Sequence, residues 1–384
     1  MARLIATAED FAFGPAGKLV TVAEELAARG HALTFAGSGT ALQLAERADC
    51  WDEVVACPTD APEFEELVGS RMAAADLLVS CVDRPSVELA RKHGLPVAWL
   101  DPLTWWWGDE APVWLPDLEL CVVQRSIGAG DAAGPYQELP ANHVVVGPIV
   151  RTGPERRGDA GSGPLLVNFG GGEAADWYQP GRDTNYPYVI IDLLLTQIDL
   201  TGFSQVVVAS GERIAAEARR RWPDAPVSFE CLGHRDFVER LSSAQAFLTV
   251  PGLEAPLEGW AAGVPTLFLP PSNSSQYVQL DEFRRRGVGD LSVHLRDFLP
   301  PLDLLSAPLR DRSERFIEQL RDFERTPTIR TEVAARLSDL LTHPEGWMPA
   351  VRRGHAYLDE LGRDGLERCV AAICALVERE GESA

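Results

Sequence analysis

Two doubly wound α/β domains in tandem, closed by a helical C-terminus, are the fold this sequence predicts. Three observations carry that prediction. Short apolar runs alternate with helix-periodic segments twice over, once before residue 150 and again after residue 163. The two series are parted by "RTGPERRGDAGSG" (151–163), polar and rich in Gly and Arg, with the composition of a linker. A chain of 384 residues is also too long for one ordinary core. The expected division is 1–150 for the first domain, 151–163 for the linker, 164–345 for the second domain and 346–384 for C-terminal helices.

In the first series, "RLIAT" (3–7) is a short apolar strand followed by a loop to about Gly17. "LVTVAEELAARG" then has helical periodicity and a glycine stop at Gly30. "HALTFAG" and "EVVAC" read as strands, with "ALQLAERA" and "PEFEELVGSRMAAA" as helices. "DLLVSCV", "LPVAWL", "LELCVV" and "HVVVGPIV" complete the apolar runs. Repeated strand–helix–strand units imply parallel sheets covered on both faces. The second series runs from "PLLVNFGGG" through "SQVVVAS", "PVSFECLG" and "AFLTV" to "VPTLFLP", with helical segments between. Four helical segments, near 308–323, 328–342, 346–361 and 364–381, close the chain.

Composition narrows the function. The chain is 46% apolar and 24% charged, the profile of a folded protein. A net charge of −22 argues against nucleic acid or an anionic membrane as partner. No apolar run reaches the roughly 20 residues of a membrane span. "MARLIATAED" reads as a first strand rather than a leader, and the seven cysteines are scattered without C-x-x-C spacing. The expectation is a cytoplasmic protein with reduced thiols and no zinc site.

In open parallel sheets ligands sit beyond the carboxyl ends of the strands, so the post-strand loops hold the candidates. Gly170, Gly171 and Gly172 follow an apolar strand and let backbone N–H groups approach a phosphate, or else simply make a tight turn. In "TVPGLEAPLEGWAAGVPTLFLPPSNSSQ" (249–276), Gly252 turns the chain and a short helix begins. Its N-terminus favours an anion. Glu258, one turn in, is either a ribose-diol acceptor or a solvated helix glutamate. Gln276 lies where it would touch sugar hydroxyls.

The spacing Gly252, Glu258, Ala262, Gly263, Pro265, Gln276 resembles the donor-binding segment of GT-B glycosyltransferases. The undecaprenyl-linked N-acetylglucosaminyltransferases of peptidoglycan synthesis and the natural-product glycosyltransferases carry it. "GHALTFAG" and "VVVGPIV" resemble other parts of that fold, and the likeness runs in order from residue 3 to about 340. It implies two Rossmann-like domains, the first binding a small acceptor and the second a nucleotide sugar, a UDP-sugar by expectation. By this likeness Glu258 holds the ribose, Gln276 the donor sugar, the glycine triplet the diphosphate, and the "CLGH" turn with Leu232 the base. The implied reaction is inverting transfer without a metal or other cofactor, and the chain has no Asp-x-Asp. Pro251 and Ala255 depart from the pattern, since relatives often place a His, Arg, Ser or Thr there.

Lys18, in "FGPAGKLV", fills the place where the resembling transferases carry, after a glycine-rich loop, a histidine that can serve as the acceptor's base. It is not a P-loop lysine, because position 12 is Ala and position 19 is Leu. An ammonium at a helix start suits an anion, so Lys18 is expected to meet a carboxylate or phosphate, unless it is merely solvated. The base is then expected at Asp10 or Asp101, each ending a strand, Asp10 being preferred; either would otherwise cap a turn. Gly14 and the aromatic faces of Trp105 and Trp106 are expected on the acceptor side, with packing under a loop as the alternative for the tryptophans. "FGPAGKL" with "WLDPLTWWW" further resembles the cytosylglucuronate synthases of nucleoside-antibiotic pathways, which implies UDP-glucuronate and cytosine. Two other readings stay open: a nucleotide-sugar 2-epimerase on the same fold, and a non-catalytic nucleotide-sugar-binding partner protein.

Overall fold

The computed structural model describes residues 1–107, 110–125, 139–151, 163–174 and 178–383. The chain forms two compact units, Met1–Arg151 with Glu360–Ala384, and Thr152–Asp359. The expected linker lies outside the described residues except for Arg151 and Gly163.

The first unit runs β1 (Arg3–Ala8), α1 (Gly14–Ala28), β2 (Ala32–Gly37), α2 (Gly39–Ala45), β3 (Glu53–Ala56), α3 (Phe64–Met72), β4 (Leu77–Cys81), α4 (Arg84–Lys92), β5 (Val97–Asp101), α5 (Thr104–Trp107), β6 (Leu120–Gln124) and β7 (His143–Val146). Its seven strands are all parallel, in the order β3-β2-β1-β4-β5-β6-β7. β4, β5 and β6 are buried along their whole length, which is why they read as unbroken apolar runs. Edge strand β3 is mostly exposed.

The second unit contains β8 (Leu165–Asn168), α6 (Tyr186–Gln197), β9 (Val206–Ala209), α7 (Glu212–Arg221), β10 (Ser228–Glu230), α8 (His234–Ser243), β11 (Ala246–Thr249), α9 (Ala255–Ala261), β12 (Thr266–Phe268), α10 (Ser274–Arg285), α11 (Leu309–Arg325), α12 (Pro327–Thr342) and α13 (Trp347–Leu361). Its five strands are parallel, in the order β10-β9-β8-β11-β12. The two doubly wound sheets and the closing helices are the architecture the alternating runs predict.

The final helix, α14 (Gly365–Ser383), packs on α1, β6 and β7 of the first unit. Cys369, Val370 and Ile373 are wholly buried there. α13 instead belongs with the second unit, where Tyr357 meets the Trp260 ring edge-on at 5.7 Å. The sequence grouped 346–384 together; the structure divides these helices because each one's apolar face matches a different sheet. Covering by α14 also explains why α1 is buried on nearly every side. Among the described residues no helix is long and apolar enough to cross a membrane.

Candidate functional site

Each sheet reverses its strand order once near its middle, between β1 and β4 in the first unit and between β8 and β11 in the second. The loops leaving such neighbouring strands diverge and open a crevice at their carboxyl ends.

In the first unit the β1 loop carries Glu9 and the β4 loop carries Asp83. The Glu9 N–H donates to Cys81 O at 3.1 Å, which ties the two loops together. Asp83 is 2% exposed; its Oδ1 accepts from Thr59 Oγ1 at 2.8 Å and its side chain does not cap α4. Burial pushes the Glu9 carboxyl up to about 7, reinforced by repulsion from Asp83, with Arg84 opposing and Asp10 adding a little. Burial likewise raises Asp83 to about 6, against the hydroxyl groups around it. Among the described residues only Ala12 (φ 49°) and Val82 (φ 51°) hold left-handed backbone without being glycine, and they flank this crevice from both loops. A β-branched residue held so costs about 1–3 kcal/mol, a strain that gathers at functional sites. A carboxyl near 7 in a strained crevice has the properties of a general base.

Sequence reasoning chose the neighbour of Glu9. Asp10 is engaged elsewhere: its Oδ1 accepts from the Thr40 N–H at 2.8 Å and Thr40 Oγ1 at 2.9 Å, closing the first turn of α2. Asp10 is therefore corrected from base to cap. The cap requires glycine at position 39, where φ is +52° and an added Cβ would lie 1.8 Å from Asp10 Oδ2. Gly39→Ala is expected to cost about 1–3 kcal/mol, more than the roughly 1 kcal/mol of Asp10→Ala, read as urea midpoints.

Asp101 is also corrected. It is 2% exposed, and its Oδ1 accepts from the Leu103 N–H at 2.8 Å while both oxygens take the Trp107 indole N–H at 3.2 and 3.1 Å. Burial raises this carboxyl despite those bonds. It organises the tryptophan turn rather than facing a ligand. Trp106 is 7% exposed and packs edge-on against Trp105, which stays partly exposed with its indole N–H on Pro102 O. The packing alternative thus holds for Trp106.

Lys18 is 1% exposed. Its Nζ donates to Gln124 Oε1 at 2.6 Å and Ile149 O at 3.3 Å. The Cys369 thiol of α14, pushed up to about 12 by burial, feels the same ammonium. The expected anion contact is corrected accordingly: Lys18 joins α1 to the ends of β6 and β7 from within. Gly14 is the first residue of α1, with open space where a Cβ would stand.

In the second unit the reversal joins β8 to β11 through Asn168, whose Nδ2 donates to Thr249 Oγ1 at 3.1 Å. Gly170, Gly171 and Gly172 follow with φ of 62°, 83° and 68°. A Cβ at Gly172 would sit 2.9 Å from Ile214 Cδ1, so the triplet is required by backbone and packing alike. The Gly170 N–H donates to Asn168 Oδ1 at 3.0 Å, and Gly171 O accepts from the Gly211 N–H at 3.2 Å. Among the described residues no hydrogen bond uses the N–H of Gly171 or Gly172. Two adjacent donors in left-handed backbone suit an anion.

Glu258 is not a solvated helix glutamate: it is 2% exposed, and its Oε1 lies 2.5 Å from His234 Nε2, itself 8% exposed. The pair joins the first residue of α8 to the first turn of α9. The Gly252 N–H is taken by Val250 O at 2.8 Å, so it is not among the phosphate donors. Gln276 sits in α10 rather than a loop; its Oε1 accepts from the N–H and Oγ of Ser272, and its own N–H is capped by Asn273 Oδ1. "NSSQ" is a capping-box spacing, a signal the sequence displayed. Leu232 packs partly buried against the core around Phe237 and Phe247. Among the described residues no group of three or more His, Cys, Asp or Glu is placed to hold a metal ion.

No protein-family model matches the chain, and no curated protein matches its sequence. Solved structures do match. LpCGTa, with UDP bound, aligns over 98% of this chain and 100% of its own at 13% identity and a TM-score of 0.54. Anabaena Alr3699/HepE, with UDP and glucose bound, aligns over 99% and 100% at 12% identity and 0.53. These likenesses span both sheets in order. The chain has the GT-B fold. A Listeria monocytogenes protein described as a UDP-N-acetylglucosamine 2-epimerase shares it too, over 98% of this chain and 97% of its own, at 13% identity and 0.51. The GT-B fold fixes where ligands gather and leaves the chemistry to the residues at the two reversals.

Proposed function

We propose that this protein is a glycosyltransferase that moves a sugar from a UDP-sugar to a small acceptor. One observation carries the reading: each sheet has its own strand-order reversal, and each reversal holds the groups one half of the reaction needs. The second unit offers the Gly171 and Gly172 N–H donors for a diphosphate, with Glu258 held by His234 for the ribose. The first unit offers Glu9, whose proton affinity is raised by burial and by Asp83. In the reaction the acceptor's oxygen or nitrogen attacks the anomeric carbon, the bond from that carbon to the diphosphate oxygen breaks, and Glu9 takes the acceptor's proton. Backbone N–H groups stabilise the charge on the departing diphosphate. A single displacement inverts the anomeric centre. The bound UDP in LpCGTa and HepE supports uridine as the donor nucleotide. Burial of Lys18 removes the residue that would have met a glucuronate carboxylate, so UDP-glucuronate and cytosine enter only as one arm of the test.

The test is a mass-spectrometric screen of UDP-, TDP- and GDP-sugars, UDP-glucuronate among them, against small acceptors that include nucleobases. Release of UDP matched by a glycosylated acceptor is the expected result. Conversion of the UDP-sugar into its epimer without any acceptor would replace this reading with epimerisation, for which Glu9 and Asp83 supply two acid–base groups. Binding without turnover across the panel would leave a non-catalytic binding protein.

A further inference from the structure

The glycine triplet is followed at once by an acid, Glu173. In a chain of net charge −22, a carboxylate beside an anion nest opposes the ligand unless something neutralises it. The structure supplies that partner. Arg213, in the first turn of α7, donates from Nε to Glu173 Oε2 at 3.1 Å. The arginine is 46% exposed and the glutamate 12%. Two further contacts fix the start of α7 against the triplet: the Gly211 N–H donates to Gly171 O, and Ile214 fills the space over Gly172. Arg213 therefore lies between two residues that touch the glycine loop directly.

We propose that Arg213 is the cationic contact for the donor diphosphate, held ready by Glu173 while the site is empty. This inference rests on the donor reading above. The guanidinium is planar and carries five donors; the bond to Glu173 uses Nε, so both terminal NH2 groups can engage phosphate oxygens without leaving the carboxylate. Arg213 thus supplies the positive charge that Pro251 and Ala255 do not. Glu173 acts in the opposite sense: it orients the arginine but competes with the ligand for it.

The experiment is calorimetric titration of UDP, UMP and uridine into the full chain, its Arg213→Gln variant and its Glu173→Gln variant. Arg213→Gln is expected to weaken UDP about ten- to hundredfold, a charge-assisted contact's worth, and to leave uridine unchanged. Glu173→Gln is expected to bind UDP as tightly as wild type or more tightly. Arg213 is half-exposed, and an unchanged melting temperature in both variants checks that the fold is retained. Equal losses for UDP and uridine, or unchanged UDP binding in Arg213→Gln, would overturn the assignment of Arg213 and leave the donor reading standing. Wild type that binds no UDP would overturn both.

Discussion

Glu9→Gln is expected to lower kcat by about 10²–10⁴-fold while leaving UDP affinity within a factor of two. Glutamine keeps the shape of the side chain and loses only its ability to take a proton, so the split between turnover and donor binding isolates that one property. The wild-type pH profile gives an independent check. With the carboxyl near 7, the active base is the ionised form, and kcat/KM is expected to rise with pH and level off above about 7. In Asp83→Asn the repulsive neighbour is gone while Thr59 still has an acceptor, so the inflection is expected to move to lower pH. A flat profile, or a Glu9→Gln enzyme of near-normal turnover, would remove Glu9 as base.

Stability should follow the same groups with the opposite sign. Both carboxyls bind protons more tightly in the folded state than in the unfolded chain. Between about pH 4.5 and 7 for Glu9 the folded state therefore holds the extra proton, and unfolding free energy falls as pH rises through that window. Glu9→Gln is accordingly expected to melt higher than wild type at pH 8 and about equally at pH 4. A carboxyl whose removal raises stability is one the fold holds at a cost, as a proposed base would be.

His234→Ala is expected to cost about 3–5 kcal/mol, the largest destabilisation of any single change considered. It leaves the Glu258 carboxyl at 2% exposure with its hydrogen-bond partner removed. Trp260 lies two residues away on α9 and is itself 2% exposed, so its fluorescence reports the loss in a urea titration. UDP affinity should fall with it. Replacing both partners by apolar residues, Glu258→Met with His234→Phe, is expected to recover much of the stability but none of the nucleotide binding. If the double variant still binds UDP, the pair belongs to the core alone and the ribose is held elsewhere.

The fold was legible because its signals are local. β4, β5, β6, β8 and β9 are continuous apolar runs since both faces of a parallel sheet are covered. The glycine triplet was legible for a similar reason: its left-handed turn lies in its own backbone. The side-chain sites were not, because each needs a partner from a distant strand. Glu9 acquires its proton affinity from burial first and then from Asp83, which the fold brings in from another strand's loop. Asp10 was preferred over Asp101, and nothing near it in the sequence announces Thr40, thirty residues on. Lys18 was singled out by its place in "FGPAGKLV", yet its neighbours Gln124 and Ile149 lie more than a hundred residues on. Spacing near Glu258 marked its helix, while the histidine that holds it sits at the start of another.

The return of α14 to the first unit has a consequence for how the protein is made. Residues 1–151 leave the ribosome with α1 and the faces of β6 and β7 lacking their cover, and the covering helix begins only at Gly365. At about 5–20 residues per second, the intervening stretch of roughly 200 residues delays it by on the order of ten to forty seconds. For that interval the nascent N-terminal half exposes apolar surface that the finished protein hides, a natural target for chaperones. Its maturation waits on a helix translated some two hundred residues later.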